Sequence, residues 1–225
     1  MSKEKLINLK MPYYSKGEEI FSLTTHIVGG GIGVLILLFS IILATLNQRN
    51  NIEIFSLIIY GISAIALYSV SSVYHGLNPH LVSKKVMRII DHCTIYFLIA
   101  GTYTPICVMT MKDTSCLPII LSIEWIGAFV GILINAIDLS SKKVQAISMA
   151  MYIIMGWAIV LVPGAVKCLA FDEFVFILSG GIAYTVGSIL YGIGHKKKWF
   201  HPIFHIFVDL GTIIQFIGVL LIIIR

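Results

Sequence analysis

Residues 22–46 read SLTTHIVGGGIGVLILLFSIILATL, and nothing between Glu19 and Arg49 carries a charge. About 20 apolar residues in a row are what one helix needs to cross the hydrocarbon core of a bilayer. Charge-free stretches recur between Glu53 and Lys84, Asp91 and Lys112, Lys143 and Lys167, and Glu173 and Lys196. Between Lys112 and Asp138 only Asp113 and Glu124 interrupt, and after Trp199 only Asp209 and Arg225 do. Seven spans fit, at 22–46, 53–75, 90–110, 117–137, 144–163, 174–194 and 201–223. The period-two alternation of barrel strands is absent, and lipid leaves no partner for unpaired backbone. The expected fold is an all-α integral membrane protein, a seven-transmembrane-helix bundle forming one domain.

Composition agrees. Of 225 residues, 58% are hydrophobic and 12% charged, about half the charge of an ordinary soluble domain. One soluble core of this length could not hide so much apolar surface. A soluble enzyme and a disordered chain are excluded. The net charge of +5 does not mark a nucleic-acid binder, because the basic residues fall in short clusters between apolar runs. Lys3, Lys5, Lys10, Lys16, Lys84, Lys85, Arg88, Lys142, Lys143, Lys196, Lys197 and Lys198 lie on one side of the seven spans. Only Arg49, Lys112, Lys167 and Arg225 lie on the other. The positive-inside rule places the N-terminus in the cytoplasm and the C-terminus outside. Residues 1–19 read as a cytoplasmic tail, and the first apolar run is too long for a signal-peptide core. The expected location is the cell membrane, with lipids as the surrounding partners. Cys116 and Cys168 share the outer side, which allows a disulfide, but their spacing does not demand one.

Polar groups at membrane depth are costly and mark function. Glu18, Glu19 and His26 open span one; Ser71, Ser72 and His75 close span two; Asp91 and His92 open span three. Asp138 closes span four, His195 closes span six, and His201 and His205 open span seven. All belong to the cytoplasmic ends. His201 and His205 stand one helical turn apart on one face, as do Ser71 and His75. Pro202 fits a first helical turn, where its missing N–H costs nothing. Three imidazoles from two helices with a carboxylate from a third suit zinc with an open fourth position. Asp91 then holds and deprotonates a water on the metal, and Ser71 supports it by hydrogen bonding. From spacing alone, a buried histidine–carboxylate network without metal is the rival reading.

The ordered motifs extend further. Ser71-Ser72-Val73-Tyr74-His75, Asp91-His92 and Ala100-Gly101-Thr102-Tyr103-Thr104-Pro105 resemble the hemolysin III family, the bacterial branch of the progestin and adipoQ receptor superfamily. Glu19 with Thr25-His26, Met155-Gly156-Trp157, Gly180-Gly181 with Tyr184 to Gly187 and Tyr191, and His201-Pro202-Ile203-Phe204-His205 continue the likeness. The resemblance implies zinc held by His75, His201 and His205, with Asp91 reaching it through water and Ser71 beside it. It also implies likeness to membrane hydrolases that cleave lipid amides. Three functions follow as expectations: a zinc-dependent hydrolase of lipid amides or esters, a regulator or receptor with structural zinc, and the lytic activity in the family name. Seven apolar spans with no charged ring argue against a pore. Ser22, Asp209, Gln215 and Glu124 depart from the family pattern. Asp209, one turn after His205, either orients that ring or pairs elsewhere in the bundle. Glu124 reads as polar packing in the outer half. Pro12-Tyr13-Tyr14 reads as an interfacial anchor, and Gly29-Gly30-Gly31, Gly33 and Gly180-Gly181 as helix-packing surfaces.

Overall fold

The computed structural model describes residues 6, 9, 11–194 and 197–225. Among these residues all regular structure is helical. The elements are α1 (Lys16–Leu46), α2 (Asn51–Gly76), α3 (Val82–Thr110), α4 (Cys116–Asp138), α5 (Lys142–Gly156), α6 (Ala158–Leu161), a 3-10 turn (Ala165–Cys168), α7 (Phe171–Gly194) and α8 (Phe200–Ile224). Six of them, α1 to α4, α7 and α8, are long and apolar enough to cross a membrane. The segment expected as the fifth span is helical in two pieces. α5 ends at Gly156, Trp157 sits at the break, and α6 adds one turn.

The surface inverts that of a soluble protein. Leu38, Phe39, Ile42, Ile126, Phe129 and Ile189 point outward, while Ser22, His26, Ser40, Ser63, Glu124 and Asn135 are buried. Lipid is the only solvent in which that arrangement is favourable.

The helices close a ring. α1 packs on α2, α2 on α3, α3 on α4, α4 on α5, α5 on α7, α7 on α8 and α8 on α1. α3 also touches α5 and α8, so it runs through the middle. Small residues permit the closest approaches. Gly61 of α2 lies against the Leu37 backbone of α1, and Gly33 against the Ile65 backbone of α2. Of the glycines expected to pack, Gly29, Gly33 and Gly180 do so, whereas Gly31 and Gly181 have nothing within 4 Å. In a helix only every third or fourth residue shares a face, so a glycine run cannot all pack.

Local chemistry sets the ends. Ser15 and Glu18 form a reciprocal capping box at the start of α1, and Asn50 and Glu53 do the same for α2. Arg49 closes the far end by donating to the carbonyls of Ile222 and Ile223 at the end of α8. All four cysteines are free. The disulfide allowed by their outer placement is not formed: Cys116 Sγ lies 3.7 Å from the Pro163 carbonyl and Cys168 Sγ 3.7 Å from that of Gly164.

Candidate metal centre

α2 ends where α1, α3 and α8 begin, and this corner gathers the histidines. His201 and His205 project from the first turns of α8, and His75 from the last turn of α2. His201 Nε2 lies 3.4 Å from His75 Nε2 and 3.2 Å from His205 Nε2. The three residues are buried and could hold a metal ion, with ligand atoms all within 4.8 Å of one another.

The donor chemistry fits a cation. Tetrahedral zinc with Zn–N bonds of about 2.0–2.1 Å sets ligand nitrogens about 3.3 Å apart, the spacing of His201 Nε2 from the nitrogens of His75 and His205. Three converging nitrogens without a metal face lone pair to lone pair unless a proton or water intervenes. For His75 the tautomer is decided by its neighbour. Its Nδ1 lies 2.7 Å from Glu19 Oε2. An ionised carboxylate only accepts, so Nδ1 carries the hydrogen and Nε2 offers its lone pair to the cluster.

The other expected residues take their places nearby. Asp91 and Ser71 line the same cavity as His201 and His205. The cavity measures about 130 Å³. His26, Ser71, Asp91, His201 and His205 make its polar end, and Leu98, Ile99, Ile153 and Val208 contribute apolar wall. It reaches Gln215, ten positions along α8 from His205, a rise of about 15 Å.

His92 is committed elsewhere, with Nδ1 2.9 Å from the Arg88 carbonyl and Nε2 3.1 Å from the Tyr191 hydroxyl. His80 is exposed in the turn after α2. His195 falls outside the described residues. Asp209 shows no hydrogen bond to His205; it faces the Tyr68 hydroxyl and the Gly29 backbone. Glu124 is 0% exposed, and neither carboxylate oxygen meets a partner among the described residues. Polar packing therefore does not explain it.

Several contacts at the site escaped sequence reasoning. His26 stacks flat on His205, centroids 3.8 Å apart at 14°, and neither of its nitrogens has a hydrogen-bond partner among the described residues. Lys84, counted above as a loop charge, is buried, and its Nζ lies 2.7 Å from Glu19 Oε1 and 3.0 Å from the Leu77 carbonyl. Arg88 is likewise buried. Of the expected interfacial tyrosines, Tyr13 is 87% exposed, but Tyr14 turns inward and stacks on His201. Trp199, left-handed at φ 68°, donates its backbone N–H to Glu18 Oε1 at 2.6 Å. No single-position pattern shows these contacts, because each joins elements far apart in the chain.

Fold and site define a class: an integral membrane protein with a three-histidine centre at one end of a helical bundle. The comparisons name the family. The family described as "Haemolysin-III related" matches residues 14–216, and the chain belongs to it. It is 35% identical over 204 residues to the hemolysin-3 homolog of Bacillus subtilis (strain 168), covering 90% of this chain and 93% of that protein. It is 33% identical over 207 residues to hemolysin-3 of Bacillus cereus, covering 90% of each. The human monocyte to macrophage differentiation factor is 25% identical over 172 residues, 72% of this chain and 67% of that protein.

Proposed function

We propose that the chain crosses the membrane seven times, holds zinc between His75, His201 and His205 at the cytoplasmic end, and hydrolyses an amide or ester bond of a membrane lipid there. The crossing added to the six long helices, fifth in chain order, is α5 with α6. Together they run from 142 to 161, about 30 Å at helical rise. The orientation rests on the excess of Lys and Arg at the histidine end.

One observation carries the chemistry. Three imidazoles converge, with His201 Nε2 at zinc spacing from the other two, and His201 and His205 line a cavity that also holds the Asp91 carboxylate and runs between apolar walls. Zinc, when bound, supplies Lewis-acid polarisation of a carbonyl and lowers the pKa of water to about 7. Asp91 is the residue to accept a proton, and Ser71 lines the same cavity. His26 offers a donor or an acceptor to whatever polar group enters. The apolar walls take an acyl chain and exclude bulk water, which strengthens polar contacts at the site.

The test is metal content by mass spectrometry and anomalous scattering at the zinc edge, followed by fatty-acid release from ceramides and phospholipids. Zinc on the three histidines with release of fatty acid supports the reading. Absence of metal overturns it. A second reading, a regulator with structural zinc, is supported by the origin of the ligands: α2 and α8 lie far apart in sequence, and one ion would staple them. Fully loaded protein that releases no fatty acid but is destabilised by chelation supports this reading instead.

A further inference from the structure

We propose that Glu19, held in place by Lys84, is a positioning residue that aims the His75 lone pair at the metal and raises its strength as a ligand. The inference rests on the metal reading above.

Both carboxylate oxygens of Glu19 are committed. Oε2 takes the His75 Nδ1 hydrogen at 2.7 Å, and Oε1 takes Lys84 Nζ at 2.7 Å. The side chains of His75, Lys84 and Glu19 are 0%, 3% and 14% exposed, so water competes little. Lys84 is fixed in turn by the Leu77 carbonyl at the end of α2. The carboxylate therefore cannot rotate away from the ring without breaking a second charged contact. A carboxylate on the far nitrogen makes an imidazole a better donor and fixes its plane.

Stability alone does not explain the arrangement. A buried ion pair is weak as a stabiliser, because desolvation offsets most of the attraction. Apolar residues of similar size would serve the fold as well. The neighbouring Glu18 points the same way. Its Oε1 accepts the Trp199 N–H, two residues before His201. Two adjacent carboxylates on α1, a helix that supplies none of the three histidines, thus hold the two ligand helices at their distance.

The experiment uses full-length protein in lipid nanodiscs with zinc, and with cobalt as the spectroscopic probe. Glu19→Gln keeps the shape and removes the charge; Glu19→Ala removes the contact. Zinc affinity is expected to fall about tenfold to a hundredfold in both, with a shifted cobalt absorption spectrum. Glu19→Ala also lowers the unfolding midpoint of the metal-free protein, because Lys84 is left buried without its carboxylate, so the affinity and the spectrum are the readouts that decide. Unchanged zinc affinity and cobalt spectrum in Glu19→Ala overturn the inference while leaving the metal reading intact. Nitrogen-15 NMR of metal-free wild type needs no variant: His75 must be protonated at Nδ1, and a proton at Nε2 overturns the proposal even if both variants fail to fold. Wild-type protein that binds neither zinc nor cobalt overturns both readings together.

Discussion

The ring of Tyr14 lies over that of His201, centroids 4.6 Å apart and planes 21° from parallel. It also sits 6.1 Å from the His75 ring. Tyr14 is thus drawn under the histidine corner, and Leu9, 2% exposed, is buried as well. Burial also pushes the Tyr14 phenol well above its ordinary pKa, so the hydroxyl stays neutral across the physiological range.

From this cover follows an expectation for access. Tyr14→Ala should speed removal of zinc by a chelator several-fold, and Tyr14→Phe, which keeps the ring, should not. Stopped-flow measurement with a chromophoric chelator decides it; equal rates in both variants would show that the ring does not guard the site.

Metal removal should cost stability. An ion present at a thousand times its dissociation constant stabilises the folded state by about 4 kcal/mol. Chelation should therefore lower the thermal midpoint of the wild type, and His205→Ala should lose the difference between chelated and zinc-treated samples. A chelator-sensitive His205→Ala would place the metal elsewhere.

Glycine positions separate packing from propensity. A Cβ on Gly61 would stand 2.6 Å from Leu37 Cβ and 2.8 Å from its Cα, where backbone blocks any adjustment. Gly61→Ala should destabilise by about 1–3 kcal/mol. Gly31 is exposed with open space around it, so Gly31→Ala should be neutral or gain up to about 1 kcal/mol. Unfolding of the two variants in mixed micelles checks the contrast.

Glu124 should be dispensable. Its carboxyl is fully buried with no hydrogen-bond partner among the described residues. An uncompensated polar group in an apolar setting costs about 1–3 kcal/mol by mutational measures. Glu124→Met should raise the unfolding midpoint and leave zinc affinity unchanged; a fall in stability would mean that the carboxyl has a partner such as a bound water.

At the opposite end from the histidines, Arg49 reaches the Ile222 carbonyl at 2.7 Å and the Ile223 carbonyl at 3.0 Å. Arg49→Ala should cost about 1.5–3 kcal/mol, the usual worth of hydrogen bonds to a charged group. Zinc affinity should not change, because the contact lies at the far end of α8. Parallel thermal and metal-binding measurements would expose any coupling.

Residue types and spacing were enough for much of this. Charge-free runs located the long helices, since apolar length is a one-dimensional property that the bilayer reads directly. Ser71 with His75, and His201 with His205, were legible because helical periodicity puts residues four apart on one face. The break at Trp157 was not legible, because its surroundings are as apolar as an unbroken span. Lys84 and Arg88 were misread as loop charges, since a positive residue near a helix end has the same local pattern whether it meets water or a buried carboxylate.

The sequence by itself determined a membrane-embedded helical chain and the short list of imidazoles and carboxylates able to do chemistry. Only the tertiary structure decided that Glu19 and Lys84 lock the ring of His75, that Tyr14 and His26 stack on the other two imidazoles, and that Asp209 and Glu124 stand apart. The physical reason is range: hydropathy and helical phase are set by near neighbours in the chain, whereas a hydrogen bond between α1 and α2 or a stack between α1 and α8 exists only after the ring of helices has closed.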